Sequence, residues 1–384
     1  MIIAIDGYEA NVGSRVGIGR YAYEILVSLY VLLSHDNAHR VEVRVYVPTR
    51  PRTDMPKETT WWHYYVRGPQ KLWTFVGLPL ALKKDKPEAQ VVFSPTHYIP
   101  RFTRIPRVMA VMDLSYLYFP ELFRKRDLYQ LTNWTKYGLA HASAVCTISQ
   151  FSKNDIIKRY GIGKEKVFVT FPGFSMQKTT TGTPIKQENS LEQYKIAKHF
   201  ILSVGTLQPR KNYVRLIEAF SKFLQKNKQK FGEVQLVIIG KKGWLYEQIL
   251  SAPSKFGVVD KVKFLDFVPD SDLPSFYRQA LCFALPSLYE GFGLPVLEAM
   301  AYKCPVVISN VSSLPEIADS AGIYVVPTDV DSIANGLLSA VRQRNLIQGK
   351  TRIQRGLVRV KQFTWEKAAK QTLDILTKAG AKDI

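Results

Sequence analysis

Short continuous runs of aliphatic and β-branched residues alternate with longer amphipathic stretches along most of the chain. In the first half the runs are MIIAI (1–5), VEVRVYV (41–47), VVFSP (91–95), RVMAVM (107–112), SAVCTIS (143–149) and KVFVTF (166–171). Helical periodicity fills 19-GRYAYEILVSLYVLL-33 between the first two. A second series begins with FILSVGT (200–206) and the helix 212-NYVRLIEAFSKFLQKN-227. It continues through VQLVIIG (234–240), KVKFLDFV (261–268), LCFALP (281–286), PVVISN (305–310) and IYVVP (323–327). Unbroken apolar strands are the mark of parallel sheets covered on both faces. Two such series imply two doubly wound, Rossmann-like α/β domains facing a cleft.

The polar stretch 175-SMQKTTTGTPIKQENSLEQYK-195 separates the two series and reads as a linker. The expected division is 1–175, a linker at 176–197, a second domain at 198–362, and a C-terminal helix in 363–384. In that helix Thr364 is placed to cap, Glu366 sits in the first turn, and Gly380 is placed to stop it.

Composition changes this picture in one respect. The 384 residues are 46% hydrophobic and 22% charged, ordinary for a folded protein, but the net charge is +21. Residues 1–190 hold 26 Lys and Arg against 15 Asp and Glu, so the excess is spread along the chain. It is concentrated locally in 67-RGPQKLWTFVGLPLALKKDKPEAQVVFSPTHYIPRFTRIPR-107, where eight basic residues face only Asp85 and Glu88 and are interleaved with aromatics. Such a segment suits an anionic membrane surface or a polyanion, or forms a solvated basic face over a core helix. The basic residues form no known nucleic-acid module, so no nucleic-acid partner is expected. The N-terminus lacks a basic n-region, and the run 75-FVGLPLAL-82 is far shorter than the roughly 20 residues a membrane span needs. Cys146, Cys282 and Cys304 have no metal-ligand spacing and read as reduced buried thiols in a cytoplasmic protein.

The loops that follow the strands carry the candidate chemistry. In 6-DGYEANVGSRVGIGR-20, Gly17 and Gly19 either let backbone approach a phosphate or make a flexible turn. In 205-GTLQPRKN-212, Arg210 and Lys211 sit at a helix N-terminus, where cations oppose the macrodipole unless an anion neutralises them. In 286-PSLYEGFGLPVLEAMA-301, a glycine-rich turn leads into a helix whose first turn holds Pro295. The N–H groups there make an anion site. Glu290 precedes that turn and Glu298 lies one turn into the helix, where a carboxylate can accept both hydroxyls of a ribose. Glu316 is a first-turn helix carboxylate or a cleft residue. Asp329-Val330-Asp331 has the spacing of a metal-binding pair, but Asp331 before 332-SIANGLLSAV-341 is expected to cap a helix, and no catalytic metal is predicted.

The two glutamates with seven residues between them resemble the signature of retaining glycosyltransferases of the GT-B fold, the family 4 group. The likeness extends through 17-GIGRYAYEIL-26, 94-SPTHYIP-100, 112-MDLSYLYFP-120, 147-TISQFSKNDI-156, 204-VGTLQPRKN-212, 263-KFLDFVPDSDLPSFYRQA-280, 309-SNVSSLPEIA-318 and 363-FTWEKAA-369. The set looks most like bacterial mannosyltransferases of surface-polysaccharide or lipid-linked glycan assembly. The resemblance implies a nucleotide-diphosphate sugar as donor, with no cofactor. It also implies a glycan or lipid-linked acceptor, a cytoplasmic site peripheral to the inner face of the plasma membrane, and a C-terminal helix that crosses back to the N-terminal domain.

By the same resemblance Glu298 binds the ribose, and Glu290 contacts the donor sugar or the reacting centre. Gly291, Phe292, Gly293 and Leu294 lend N–H groups to sugar and diphosphate. Arg210 and Lys211 neutralise the departing diphosphate, and Gly17 and Gly19 close on it. The chain departs from the family at Met112, where a histidine before Asp113 is usual, with His97 on a nearby loop as a substitute on the sugar side. Asp266 and Lys303 also stand where glycines are common. GDP-mannose is the favoured donor. The alternatives are a UDP-hexose transferase, or a degenerate relative that binds a polyanion or membrane.

Overall fold

The structure, a computed structural model, describes residues 1–15, 17–35, 40–174 and 188–381. The chain divides into two compact units, Met1–Gly173 with Phe363–Ile384, and Phe174–Gln362. Of the expected linker, 176–187 lies outside the described residues. Its continuation Glu188–Tyr194 is a 3-10 stretch, where Gln193 and Tyr194 both donate hydrogen bonds to Asp272 of the second unit.

The first unit holds seven parallel strands: β1 (Ile2–Asp6), β2 (Glu42–Val47), β3 (Trp62–Val66), β4 (Val91–Ser94), β5 (Arg107–Val111), β6 (Ala144–Thr147) and β7 (Val167–Val169). Their order is β3-β2-β1-β4-β5-β6-β7. The residues of β1, β4 and β6 are buried throughout, because helices cover both faces, and this is why their sequence reads as unbroken apolar runs. Strand β3 was not expected. It lies at the sheet edge, and beyond buried Trp62 its His63, Tyr64 and Tyr65 are half-buried, so WHYYV carries no continuous apolar signal.

The second unit has six parallel strands: β8 (Phe200–Val204), β9 (Gln235–Ile239), β10 (Val262–Leu265), β11 (Cys282–Leu285), β12 (Val306–Ser309) and β13 (Gly322–Val325). Their order is β10-β9-β8-β11-β12-β13. The helix Tyr213–Lys226 buries Leu216, Ile217, Phe220 and Phe223 on one stripe against β8, β9 and the helix Val330–Gln343.

Two helix ends differ from the sequence expectation. Asp329, not Asp331, caps the helix Val330–Gln343, its carboxylate accepting from the N–H groups of Asp331 and Ser332. Asp331 instead pairs with Lys222 and Lys226. The cap falls on the residue whose backbone is still extended, φ −108° and ψ 110°, and spacing alone does not reveal that. At the chain's end, Thr364 Oγ1 accepts from Lys367 N–H, as a cap does. The helix Trp365–Ala381 nevertheless runs through Gly380. A Cβ there would lie 2.3 Å from Met1 Cε and 3.6 Å from Val91 Cβ, so Gly380 serves close packing on Met1 and the start of β4 rather than termination.

Candidate active site

In each sheet the strand order reverses once, between β1 and β4 and between β8 and β11. Loops leaving the C-terminal ends of two such strands diverge and open a crevice. In the second unit the loop after β8 carries Arg210 and Lys211, and the loop after β11 carries Glu290. The structure brings these three together. Lys211 Nζ donates to Glu290 Oε1 at 2.6 Å, and Arg210 donates to Glu290 Oε2 at 3.1 Å and to the Tyr289 carbonyl. Ser287 Oγ donates to Glu290 Oε1 at 2.7 Å.

Glu290 and Lys211 are 6% and 8% exposed, so both charges have left water. Burial pushes the Glu290 carboxyl up, but Lys211 and Arg210 outweigh it and bring the pKa down to about 2. The carboxylate is therefore ionised, and two cations share one anion. The cations at this loop thus have an internal counter-ion in Glu290.

The backbone that sets this geometry is tied by polar residues the sequence reading did not single out. Asn212 takes the left-handed conformation (φ +63°) at the start of helix Tyr213–Lys226, and its buried amide donates to the carbonyls of Pro286 and Pro327. It thereby clips the Arg210–Lys211 loop to the chain leaving β11. Ser312 Oγ accepts from Glu290 N–H, and Ser313 Oγ donates to the carbonyls of Glu290 and Phe292. Serines next to a turn carry little signal in isolation, because hydroxyls bond to local backbone almost anywhere.

The turn itself places Gly291, Phe292 and Gly293 in buried positions ahead of the helix Leu294–Ala301. Gly293 adopts φ +108°, which a residue with a Cβ rarely takes, and a Cβ there would meet Leu314 at 2.7 Å. Leu294 and Pro295 form the first turn. Glu298 follows on the same helix, half-buried, and accepts a 2.7 Å hydrogen bond from Tyr277. Burial and the neighbouring Glu298 carboxylate push the Tyr277 phenol well up, so it remains a donor. Its ring stacks on Tyr302, and the Arg278 guanidinium lies over that same Tyr302 ring, 5.0 Å from its centre.

Of the remaining positions, Glu316 lies in the first turn of helix Leu314–Ala318. Lys303 takes φ +61°, so the glycine common there answers a backbone need rather than a ligand contact. Asp266 is exposed just after β10.

In the first unit, Gly17 precedes helix Ile18–Ser34 with φ +52° and open space where a Cβ would stand. Gly19 is buried, and a Cβ there would lie 3.2 Å from the Glu9 carbonyl, so it admits close packing of loop on helix. His97, after β4, is buried. Its Nε2 lies 3.0 Å from the Met112 backbone N–H, which can only donate, so the ring proton sits on Nδ1. That Nδ1 is buried with no hydrogen-bond partner among the described residues, and desolvation lowers the pKa and keeps the ring neutral. Asp113 accepts from Ser115 N–H at 2.8 Å. Asp6, at the end of β1, is buried and accepts from Trp73 Nε1 at 2.8 Å, a contact 67 residues apart that no local pattern signals.

Residues 186–353 match the family described as Glycosyl transferases group 1. The O-antigen chain mannosyltransferase B of Escherichia coli is 31% identical over 286 residues, covering 74% of this chain and 73% of that protein. The sucrose-phosphate synthase of Thermosynechococcus elongatus has a similar fold, with TM-score 0.71 at 18% identity over 99% of both chains. HepE of Anabaena in complex with UDP-glucose gives TM-score 0.68 at 19% identity, over 98% of this chain and 99% of that one. At those identities the likeness is one of fold. The sequence relationship, the two parallel α/β sheets and this fold together place the chain in the group 1 family of retaining glycosyltransferases, with the GT-B fold.

Proposed function

We propose that the chain transfers a hexose, mannose from GDP-mannose in the first instance, to a glycan or lipid-linked acceptor. The observation that carries this reading is the gathering of Arg210 and Lys211 on the buried Glu290 carboxylate at the β8/β11 crevice. Two cations gathered on one carboxylate beside a helix N-terminus favour an anion that gains charge as a bond breaks. A departing nucleoside diphosphate is such a group. Glu298, steadied by Tyr277, is placed one helical turn from that N-terminus, a suitable acceptor for two ribose hydroxyls. In this reading Arg210 and Lys211 stabilise the leaving diphosphate, and Glu290 holds both and faces the sugar. Gly291, Phe292, Gly293 and Leu294 bind through their backbone, while Gly17, Gly19, His97 and Asp113 act from the first unit. Mannose is favoured because the E. coli relative is named for mannose transfer.

The test is thermal stabilisation by GDP, UDP, ADP and dTDP, followed by transfer of labelled mannose from GDP-mannose. A nucleotide at 100 times its Kd adds about 2.7 kcal/mol. Stabilisation by GDP alone supports the donor assignment. Stabilisation by UDP alone moves the donor to a UDP-hexose, and stabilisation by none removes the nucleotide site from the account.

A further inference from the structure

The loops that leave β1, β2 and β3 at their C-terminal ends enclose a cavity of about 230 Å³, walled by Tyr8, Asn11, Gly13, Pro48, Thr49 and Gln70. It belongs to the first unit alone, and none of the candidate site residues described above lines it. One water takes about 30 Å³ and a drug-sized ligand about 300–1,000 Å³, so the space suits a single monosaccharide unit.

The wall is built in advance of any ligand. The Asn11 amide donates to the carbonyls of Thr49 and Arg50 at 3.4 and 3.1 Å and to Thr49 Oγ1 at 3.3 Å. Its side-chain carbonyl accepts from Arg52 N–H at 2.9 Å, and its own N–H bonds back to the Gly7 carbonyl at 3.0 Å. The loops after β1 and β2 are thereby tied together, and Pro48 fixes φ at the start of the second. Tyr8 packs its ring on the core cluster that holds Tyr46 and Trp73.

With Asn11 engaged in the frame, the groups left for a ligand are the Tyr8 ring and hydroxyl, the Thr49 hydroxyl and the Gln70 amide. Among the described residues neither the Tyr8 hydroxyl nor the Gln70 amide has a hydrogen-bond partner. An amide and a hydroxyl both donate and accept, and an aromatic ring offers an apolar face. A pyranose matches that combination, with hydroxyls on its rim and C–H bonds on its faces. Charge narrows the occupant further, because no lining side chain carries any. Arg15 is paired with Asp54, and Arg52, which passes beside Gly13, has its guanidinium 4.0 Å from the same carboxylate. A phosphate would find no counter-charge in this wall, whereas a neutral sugar needs none.

Position supplies the role. The crevice where strand order reverses lies on the β4 side of β1, and the cavity lies on the β2 side. Neighbouring strands are about 4.8 Å apart, so the cavity is roughly 5–10 Å from that crevice, a step of about one or two sugar units. We propose that it is a carbohydrate subsite for an internal sugar of a glycan acceptor, one or two units behind the sugar that reacts. Contacts remote from the reacting end raise kcat/KM, so such a subsite selects a glycan chain over a free monosaccharide. The role as acceptor subsite rests on the proposed function; binding of the sugar itself does not.

The experiment is saturation-transfer NMR of the full chain, without nucleotide, against trisaccharides of mannose, glucose, galactose and N-acetylglucosamine and against each monosaccharide. At least one trisaccharide is expected to bind at least about threefold more tightly than its monosaccharide. Y8L removes the ring face and G13L puts a side chain into the cavity, and each is expected to weaken that trisaccharide about tenfold. Gln70 is exposed, so Q70A leaves the fold intact, and it is expected to weaken binding about three- to tenfold. Thermal melts of the three variants establish that they are folded. Binding of no trisaccharide would overturn the proposal, and so would undiminished binding by Q70A and G13L, which would put the sugar elsewhere. Displacement of the sugar by inorganic phosphate would overturn it as well, by making the wall an anion site. Sugar binding in a chain that no nucleoside diphosphate stabilises keeps the sugar site and removes the transferase reading. Nucleotide stabilisation without sugar binding does the reverse.

Discussion

Lys211 Nζ lies 2.6 Å from Glu290 Oε1, while Arg210 reaches the other oxygen of the same carboxylate at 3.1 Å. Seventy-nine residues separate Lys211 from Glu290, and the pairing exists because β8 and β11 are neighbours in the sheet. One buried anion between two cations is a stable arrangement only while all three are charged.

Replacing Glu290 by Gln removes the anion and keeps the shape. Buried Lys211 and half-buried Arg210 then lose their shared carboxylate, and breaking such a cluster costs about 3–5 kcal/mol. Urea unfolding of E290Q at neutral pH should show that loss. The sign with pH follows from the depressed pKa of about 2. The stabilisation is full above the ordinary value near 4.5 and disappears as pH falls toward 2, so wild type and variant should converge in acid. Transfer activity should fall with the substitution at every pH.

Asp6 shifts the other way. Burial raises it to about 6, against hydrogen bonds from Trp73, Tyr8 and Thr74 that favour the anion. A carboxyl raised in the native state is most stabilising when protonated, and that contribution is lost as pH rises from about 4 through 6. Asp6→Asn is neutral throughout, and Thr74 can accept from its new amide. The variant should be more stable than wild type at pH 7.5 by up to about 3 kcal/mol, and the gap should close near pH 4. Thermal melts across that range read it directly.

Tyr277→Phe tests whether Glu298 must be held. The hydroxyl donates to Glu298 at 2.7 Å, and a hydrogen bond to a charged group is worth about 1.5–3 kcal/mol. If Glu298 binds the ribose, nucleotide affinity should drop roughly tenfold or more while the turnover number changes little. An unchanged affinity would remove Glu298 from the nucleotide site.

Lys303→Gly is expected to stabilise. The residue holds φ +61° just after a helix, and glycine takes that conformation without steric cost. Relief of the strain against the greater freedom of the unfolded chain should leave a gain of about 0.5–1 kcal/mol, with nucleotide binding unaffected.

The departures from sequence expectation share a cause. Strand β3 was missed because its partner contacts, not its own pattern, make it a strand at the edge. Gly380 has the local look of a helix stop because nothing nearby in the chain says that Met1 packs against it. Spacing points to Asp331 for the cap that Asp329 makes, because the extended backbone that marks the cap is not written in the local sequence.

The sequence alone determined the alternation of buried strands and amphipathic helices. It also marked the loops on which Arg210, Lys211, Glu290 and Glu298 stand, because parallel strands covered on both faces and glycine-rich turns write themselves into local residue order. Only the tertiary structure decided that Glu290 is the shared counter-ion of both cations, and that Asn212 clips their loop to the chain leaving β11. It alone showed that Tyr277 holds Glu298, and that Tyr8, Thr49 and Gln70 line one cavity. These relations join residues far apart in the chain, and hydrogen bonds, ion pairs and burial form across strand order, which periodicity does not encode.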